Sequence, residues 1–238
     1  MKPTIVLIHG AFAESSSWEG VVDPLVDAGH PVICAANPLR SLASDAEAVA
    51  DVVRAVDGPV VLAAHSYGGA VMSNVPADAG DIVGLVYANA FAPEPGEHCF
   101  QLAGMFPGSM LGEETARPVP RSDGTTDLYV ATDRFHEIFC QDVPEPQAAL
   151  MAATQRPATQ EALVEPSGER SLWMDVPSWF LIGEEDHIIP AKLQHFMAKR
   201  ANARRTIEIP GASHAIPVSH PDATARLVLE AATMRVAA

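Results

Sequence analysis

The sequence is poor in positive charge, poor in cysteine and without any long hydrophobic run. Lys and Arg total 15 against 30 Asp and Glu, a formal net charge of −15 over 238 residues. Protonating all nine His would still leave −6 (−15 + 9). A nucleic acid or an anionic membrane surface demands a basic face, so neither is expected as a partner. Cys34, Cys99 and Cys140 are odd in number and widely spaced, which makes no disulfide framework. A reducing compartment, and hence a cytoplasmic location, is expected. No apolar stretch approaches the ~18 residues of a membrane span. The four apolar residues before His9 are too few for a signal-peptide core. There is no Asn-x-Ser/Thr sequon, no internal repeat and no low-complexity segment.

What is present is enough apolar material, 48% of residues, for one sizeable core. Twenty Pro and sixteen Gly point to many turns rather than a long-helix bundle. Short, continuously apolar runs alternate with amphipathic stretches. Ile5–Ile8, Pro31–Ala35, Val60–Ala64, Ile82–Tyr87, Ser178–Ile182 and Thr206–Ile209 read as strands. Helices are expected over Trp18–Ala28, after Ser41 or Ser44, from Tyr67 to about Pro76, over Pro190–Ala201 and from about Pro221 to Val236. Strands without alternation suit a mostly parallel sheet covered on both faces, which right-handed crossovers make an open, doubly wound α/β sheet of about six strands. The rhythm breaks after Phe91. Residues 92–172, rich in Pro, Gly, Met and Phe, read as an inserted helical cap with fragments at Arg134–Cys140 and Gln147–Ala153, and residues 1–91 and 173–238 as the core.

The chemistry concentrates in Ala64-His65-Ser66-Tyr67-Gly68-Gly69, directly between an apolar strand and an amphipathic helix. That is the context of a nucleophile elbow, G-x-S-x-G, in which Ser sits on a strained strand-to-helix turn. Small residues are needed two before and two after the Ser because backbones approach closely there. Ala64 replaces the usual first Gly. A Ser hydroxyl needs a base to take its proton. Gly211-Ala212-Ser213-His214 follows the last strand, and Gly183-Glu184-Glu185-Asp186 follows the one before it. Loops at the carboxyl ends of parallel strands converge on one sheet edge, so Ser66, Asp186 and His214 can meet there.

On His9-Gly10-Ala11-Phe12 with Trp18, the Ser66 segment, Gly183–Pro190, and Ser213-His214 followed by Ser219-His220-Pro221, the chain resembles the α/β-hydrolase superfamily. Within it, the chain is similar to small bacterial esterase-like hydrolases and to the plant methylesterase and hydroxynitrile lyase group. The resemblance covers all but the cap. It implies a start at the family's third strand, without its first two. It also implies Ser66 as nucleophile, His214 as general base and then acid, and Asp186 as the carboxylate that orients His214. The backbone N–H groups of Ala11 and Tyr67 would form the oxyanion hole. A helix N-terminus at Tyr67 agrees with that role, because its free N–H groups and dipole favour negative charge.

Glu184 and Glu185 rival Asp186, and His220 rivals His214. His9 and His65 read as structural residues that hydrogen-bond loop backbone. His136 and Cys140 share a helix face, but two ligands make a weak metal signal that cap packing explains. No metal or cofactor is expected. Phe12 and Tyr67 adjoin the oxyanion hole and are candidate substrate contacts. So are Phe135 and Trp173 in the cap, within an apolar group that also includes Phe100, Met105, Phe106, Met110, Phe139 and Met151. The expected reaction is cleavage of a small, partly apolar ester or lactone through an acyl-enzyme, by a monomer or homodimer. Two alternatives stand beside it. One is cyanohydrin cleavage, for which the related lyases carry Lys and Thr where this chain has Ala215 and Gly10. The other is a ligand receptor that retains the pocket.

Overall fold

The computed structural model describes residues 1–233. Chain direction and burial follow from the apolar runs. The first strands and helices are β1 (Thr4–Ile8), α1 (Glu19–Asp27), β2 (Val32–Ala35), α2 (Leu42–Arg54), β3 (Pro59–Ser66), α3 (Tyr67–Ser73) and β4 (Asp81–Ala90). After an intervening segment come β8 (Ser178–Gly183), α8 (Ala191–Arg200), β9 (Arg205–Ile209), α9 (Ile216–Ser219) and α10 (Pro221–Thr233). The expected extension of α10 to Val236 lies outside the described residues. The six strands form one parallel sheet in the order β2-β1-β3-β4-β8-β9.

Successive side chains of a strand point to opposite faces, so each apolar run feeds two cores. Ile5, Leu7, Val61 and Val86 pack with Trp18, Val21 and Leu25 at α1 and with Leu227 and Val228 of α10. Val6, Ile8 and Leu62 pack on the other face with Val49 and Val53 of α2, Val71 of α3 and Leu193 of α8. Burial on both faces explains why β1 and β8 read as unbroken apolar runs. The Ser41 hydroxyl caps α2 by accepting from Ser44 N–H. The helix expected from Tyr67 to Pro76 stops earlier, at Ser73, where the Asn74 amide bonds back to Ala70 O and across to Ser167 Oγ.

The segment between β4 and β8 is not simply helical, and this corrects the sequence expectation. It holds α4 (Cys99–Ala103), β5 (Ala116–Pro120), β6 (Thr126–Val130), α5 (Phe135–Phe139), α6 (Glu145–Thr154), β7 (Ala158–Thr159) and α7 (Gln160–Val164). The three strands form a second, antiparallel sheet in the order β5-β6-β7. Pro118 and Pro120 make β5 read as a loop, but β5 is an edge strand, where a missing N–H costs nothing. Asp123-Gly124 is the hairpin signal that marks the turn, with Gly124 at φ +89°.

Polar contacts fix this segment to the sheet. The Arg40 guanidinium, just before α2, donates to Asp127 Oδ1 at 2.7 Å and to Pro157 O at 2.9 Å. Thr159 N donates to Leu39 O at 3.1 Å. The Glu165 carboxylate accepts from Leu42 N at the start of α2, where a helix N-terminus favours an anion.

Candidate active site

β3 passes into α3 with no linker, so Ser66 carries the whole change of direction. Its backbone stands at φ 55°, ψ −128°, a conformation that costs a non-glycine residue about 1–3 kcal/mol. Close packing holds it there. A Cβ at Gly10 would lie 2.5 Å from Ser66 Cβ, and one at Gly68 would lie 2.7 Å from Ile8 O, so glycine is required where β1 and α3 flank the turn. Ala64 fits at the first small position, fully buried.

Loops after β8 and β9 deliver two further side chains. His214 Nε2 lies 2.9 Å from Ser66 Oγ, and His214 Nδ1 lies 2.9 and 2.8 Å from Asp186 Oδ1 and Oδ2. Asp186 Oδ1 also accepts from Ile188 N and Ile189 N, both at 2.8 Å, and Oδ2 accepts from Gln194 Nε2 at 2.9 Å. Three donors thus fix the carboxylate's plane against the imidazole. All three side chains are buried, which strengthens these bonds by excluding competing water.

The supporting residues bond backbone. Asn89, at the end of β4 with φ 44°, accepts from Gly183 N at 2.6 Å and donates to Ser213 O at 2.7 Å and His214 O at 3.1 Å. It ties three strand ends together. His65 Nε2–H donates to His214 O at 2.8 Å, and its ring centroid is 4.7 Å from that of His214. His9 Nδ1–H donates to Gly10 O at 2.9 Å, and its Nε2 accepts from Asn37 N at 3.1 Å. Burial pulls His9 down to about 4. Burial, followed by the neighbouring His214, holds His65 well below the usual histidine range. Both rings are therefore neutral near pH 7.

Tyr67 opens α3, so its N–H has no partner inside the helix. Its hydroxyl donates to Asp45 Oδ2 at 2.8 Å. Burial and then the Asp45 charge push the phenol up, so it remains a donor, while burial pushes Asp45 up against its hydrogen bonds. A cavity of about 30 Å³ beside Ser66 is lined by Ala11, Phe12, Tyr67, Phe91 and Leu163, among others.

Of the expected site residues, Ser66, Asp186 and His214 come together, and Ala11, Phe12 and Tyr67 surround Ser66. Phe135 and Trp173 do not line this cavity. Phe135 stacks on Phe139 at 4.8 Å, and Phe139 presents its edge to His214 at 4.9 Å. The Trp173 indole N–H donates to Pro93 O, below the Arg200 guanidinium. Both aromatics are buried in packing contacts outside this cavity. Among the rivals, Glu184 accepts from Gly211 N, Glu185 is exposed, and His220 bonds Ser219 Oγ; none contacts Ser66. His136 Nε2 lies 2.9 Å from Val143 O. Sequence reasoning missed Asn89, Gln194 and Asp45. Asn tolerates positive φ, and its place at a strand end was the one available signal for Asn89.

The Alpha/beta hydrolase family matches residues 5–227. The chain belongs to that family. Among curated relatives, this hydrolase is 26% identical over 253 residues to Alpha/beta hydrolase nvfD of Aspergillus novofumigatus, covering 98% of this chain and 97% of that one. It is 25% identical over 243 residues to a pyrethroid hydrolase of Sphingobium wenxiniae, covering 95% and 86%. Among solved structures, polyneuridine aldehyde esterase superposes with a TM-score of 0.79 at 20% identity over 97% of this chain and 99% of that one. An extracellular alpha/beta-hydrolase from a Paenibacillus species, described as sharing homology with Tobacco Salicylic Acid Binding Protein 2, gives 0.79 at 23% over 98% and 100%. The family match makes the chain an alpha/beta hydrolase, and the structural likenesses bear out the fold. No helix among the described residues is long and apolar enough to cross a membrane.

Proposed function

We propose that this hydrolase cleaves carboxylic esters or lactones of small, partly apolar molecules through an acyl-enzyme. The observation that carries the reading is the continuous line Asp186–His214–Ser66, each step 2.8–2.9 Å long. His214 Nε2 takes the proton of Ser66 Oγ as that oxygen adds to the ester carbonyl. The carbonyl oxygen becomes an oxyanion facing the N–H groups of Tyr67 and Ala11, each such donor being worth ~3 kcal/mol in the transition state. Collapse breaks the C–O bond, and His214 passes its proton to the departing alcohol. Water, deprotonated by His214, then attacks the acyl-Ser66 carbonyl and releases the acid. Asp186 holds His214 in the tautomer that keeps Nε2 facing Ser66 and stabilises its cation.

Segment 92–172 serves as the cap over Ser66, and the free thiols of Cys34, Cys99 and Cys140 support a reducing, cytoplasmic setting. The test is hydrolysis of short-chain p-nitrophenyl esters by the purified protein. Ser66→Ala is expected to lower turnover by roughly 10⁴-fold or more. Turnover that survives the substitution overturns the reading.

A further inference from the structure

The chamber beside Ser66, about 30 Å³, has room for little more than one methyl group or water. A second cavity of about 660 Å³ lies within the cap. Phe100, Ala103, Ser109 and Leu111 line both, so they form a neck between the two spaces. The outer chamber's walls include Phe106, Ala116, Pro118 and Leu128, and its charged and amide groups, Glu113 and Gln160, are exposed. One wall of the neck is anchored to the loop that carries Asp186, because Met110 N donates to His187 O at 2.7 Å and Thr115 Oγ1 donates to Met110 O at 2.7 Å. Within the neck, Ser109 Oγ is buried and has no hydrogen-bond partner among the described residues. An orphaned buried hydroxyl is costly unless a ligand completes it.

We propose that the outer chamber binds the apolar tail of the substrate's acyl group, and that Ser109 hydrogen-bonds an oxygen of that group as it crosses the neck. The inference rests on the ester-hydrolase reading and adds the shape of its substrate. The assignment to the acyl side follows from position. Both oxyanion-hole residues line the inner chamber and His214 does not, whereas the departing alcohol must lie within reach of His214 Nε2. The part that remains on Ser66 in the acyl-enzyme therefore faces the neck. The substrate class is an ester of an elongated or ring-bearing apolar acid that carries an oxygen a few bonds from its carboxyl.

The test compares kcat/KM for p-nitrophenyl acetate and p-nitrophenyl decanoate. Burial of each methylene is worth roughly threefold to fourfold, so decanoate is expected to exceed acetate by about tenfold or more. Ala116→Trp places an indole in the outer chamber and is expected to cut that ratio severalfold. Gly112→Trp is a second obstructing variant, at a position where an added Cβ meets no atom within 4 Å. A preference for acetate, or a decanoate preference that survives both variants, overturns the proposal. Ser109→Ala should remove any preference for an acyl chain bearing an ether oxygen over its all-carbon counterpart, and an unchanged preference removes the role given to Ser109. Absence of all ester turnover would sink the catalytic reading instead. The chamber is then still decided by Ser66→Ala protein, in which decanoate ester should raise the melting temperature more than acetate ester, with Ala116→Trp abolishing the difference. Equal shifts overturn it.

Discussion

The parallel sheet and the cap solve opposite problems with opposite chemistry. β1 and β8 are buried along their whole length, and at the carboxyl edge of the sheet Asn89 and His65 bond the backbone of Gly183, Ser213 and His214 while Gln194 bonds the Asp186 carboxylate. β5 in the cap is exposed at four of its five positions, and the cap meets α2 through side-chain ions such as Arg40 and Asp127. Hydrogen bonds in a dry interior fix a geometry to a fraction of an ångström, as the proposed proton transfer between Ser66 and His214 would require. In the Arg40–Asp127 pair Arg40 is partly exposed although Asp127 is buried, and contacts of this kind suit a region that only has to shape a cavity. The sheet edge is therefore expected to govern rate and the cap to govern selection.

The largest test of that division is Asp186→Asn. The amide keeps the shape but presents the wrong donor to His214 Nδ1, so kcat should fall by about 10⁴-fold while the melting temperature moves little. Steady-state kinetics on a p-nitrophenyl ester provides the check. A loss below tenfold would mean that His214 is positioned by His65 and Asn89 rather than by Asp186.

Acid should undo the sheet edge before it undoes the cap. His9 is held near 4 in the folded protein against an ordinary 6.5, so the unfolded chain binds the proton first as pH falls between those values. The stabilisation is complete above about 6.5 and drains away toward about 4, a loss of about 3 kcal/mol from His9. His65 shifts in the same direction and adds to the loss, while Asp45, shifted up, offsets part of it. Denaturant titrations of wild type and His9→Gln across this window should show the shallower slope in the variant. Identical slopes would place the acid sensitivity elsewhere.

Next in size is Asn89→Ala. It leaves the buried N–H of Gly183 without its acceptor and frees the carbonyls of Ser213 and His214 from their donor. The expected cost is about 2 kcal/mol, accompanied by a fall in kcat because the His214 loop loses its tie to β4. A stability loss with kcat unchanged would reduce Asn89 to a packing residue.

The contrast between the two regions also explains what could be read in advance. Ile5–Ile8 and Ser178–Ile182 announce themselves because a strand buried on both faces carries few polar residues. Ser66 is legible because only small neighbours fit its turn, and Asp186 and His214 because each follows a strand whose carboxyl end lies on the same edge. Asn89 and Gln194 were hidden because they serve backbone groups and a carboxylate brought near by the fold, not by sequence spacing. The β5–β6 hairpin was hidden because Arg117–Pro120 faces solvent and shows neither a long apolar run nor clean alternation. Phe135 and Trp173, which lie outside the lining of the cavity beside Ser66, show a related ambiguity: an apolar aromatic in the inserted segment suits the core as well as a cavity wall, and composition cannot tell the two apart.

The smallest expected effect is the sharpest probe of the cap. Arg40→Ala removes one partner of Asp127 and the donor to Pro157 O, while Arg121 stays 3.0 Å from Asp127. The Arg40 side chain is 37% exposed, so the global stability change should be under about 1 kcal/mol. The backbone N–H of Arg40, which serves Asp45 beneath Tyr67, is untouched by the substitution. Selection should nevertheless change, because β6 carries Leu128 in the outer chamber and Asp127 anchors that strand. KM for a long-chain ester is expected to rise a few-fold while kcat stays within about twofold. Were kcat to fall as far as it does in Asn89→Ala, the cap would be part of the machinery that positions Ser66 and His214, and the division between rate and selection would not hold.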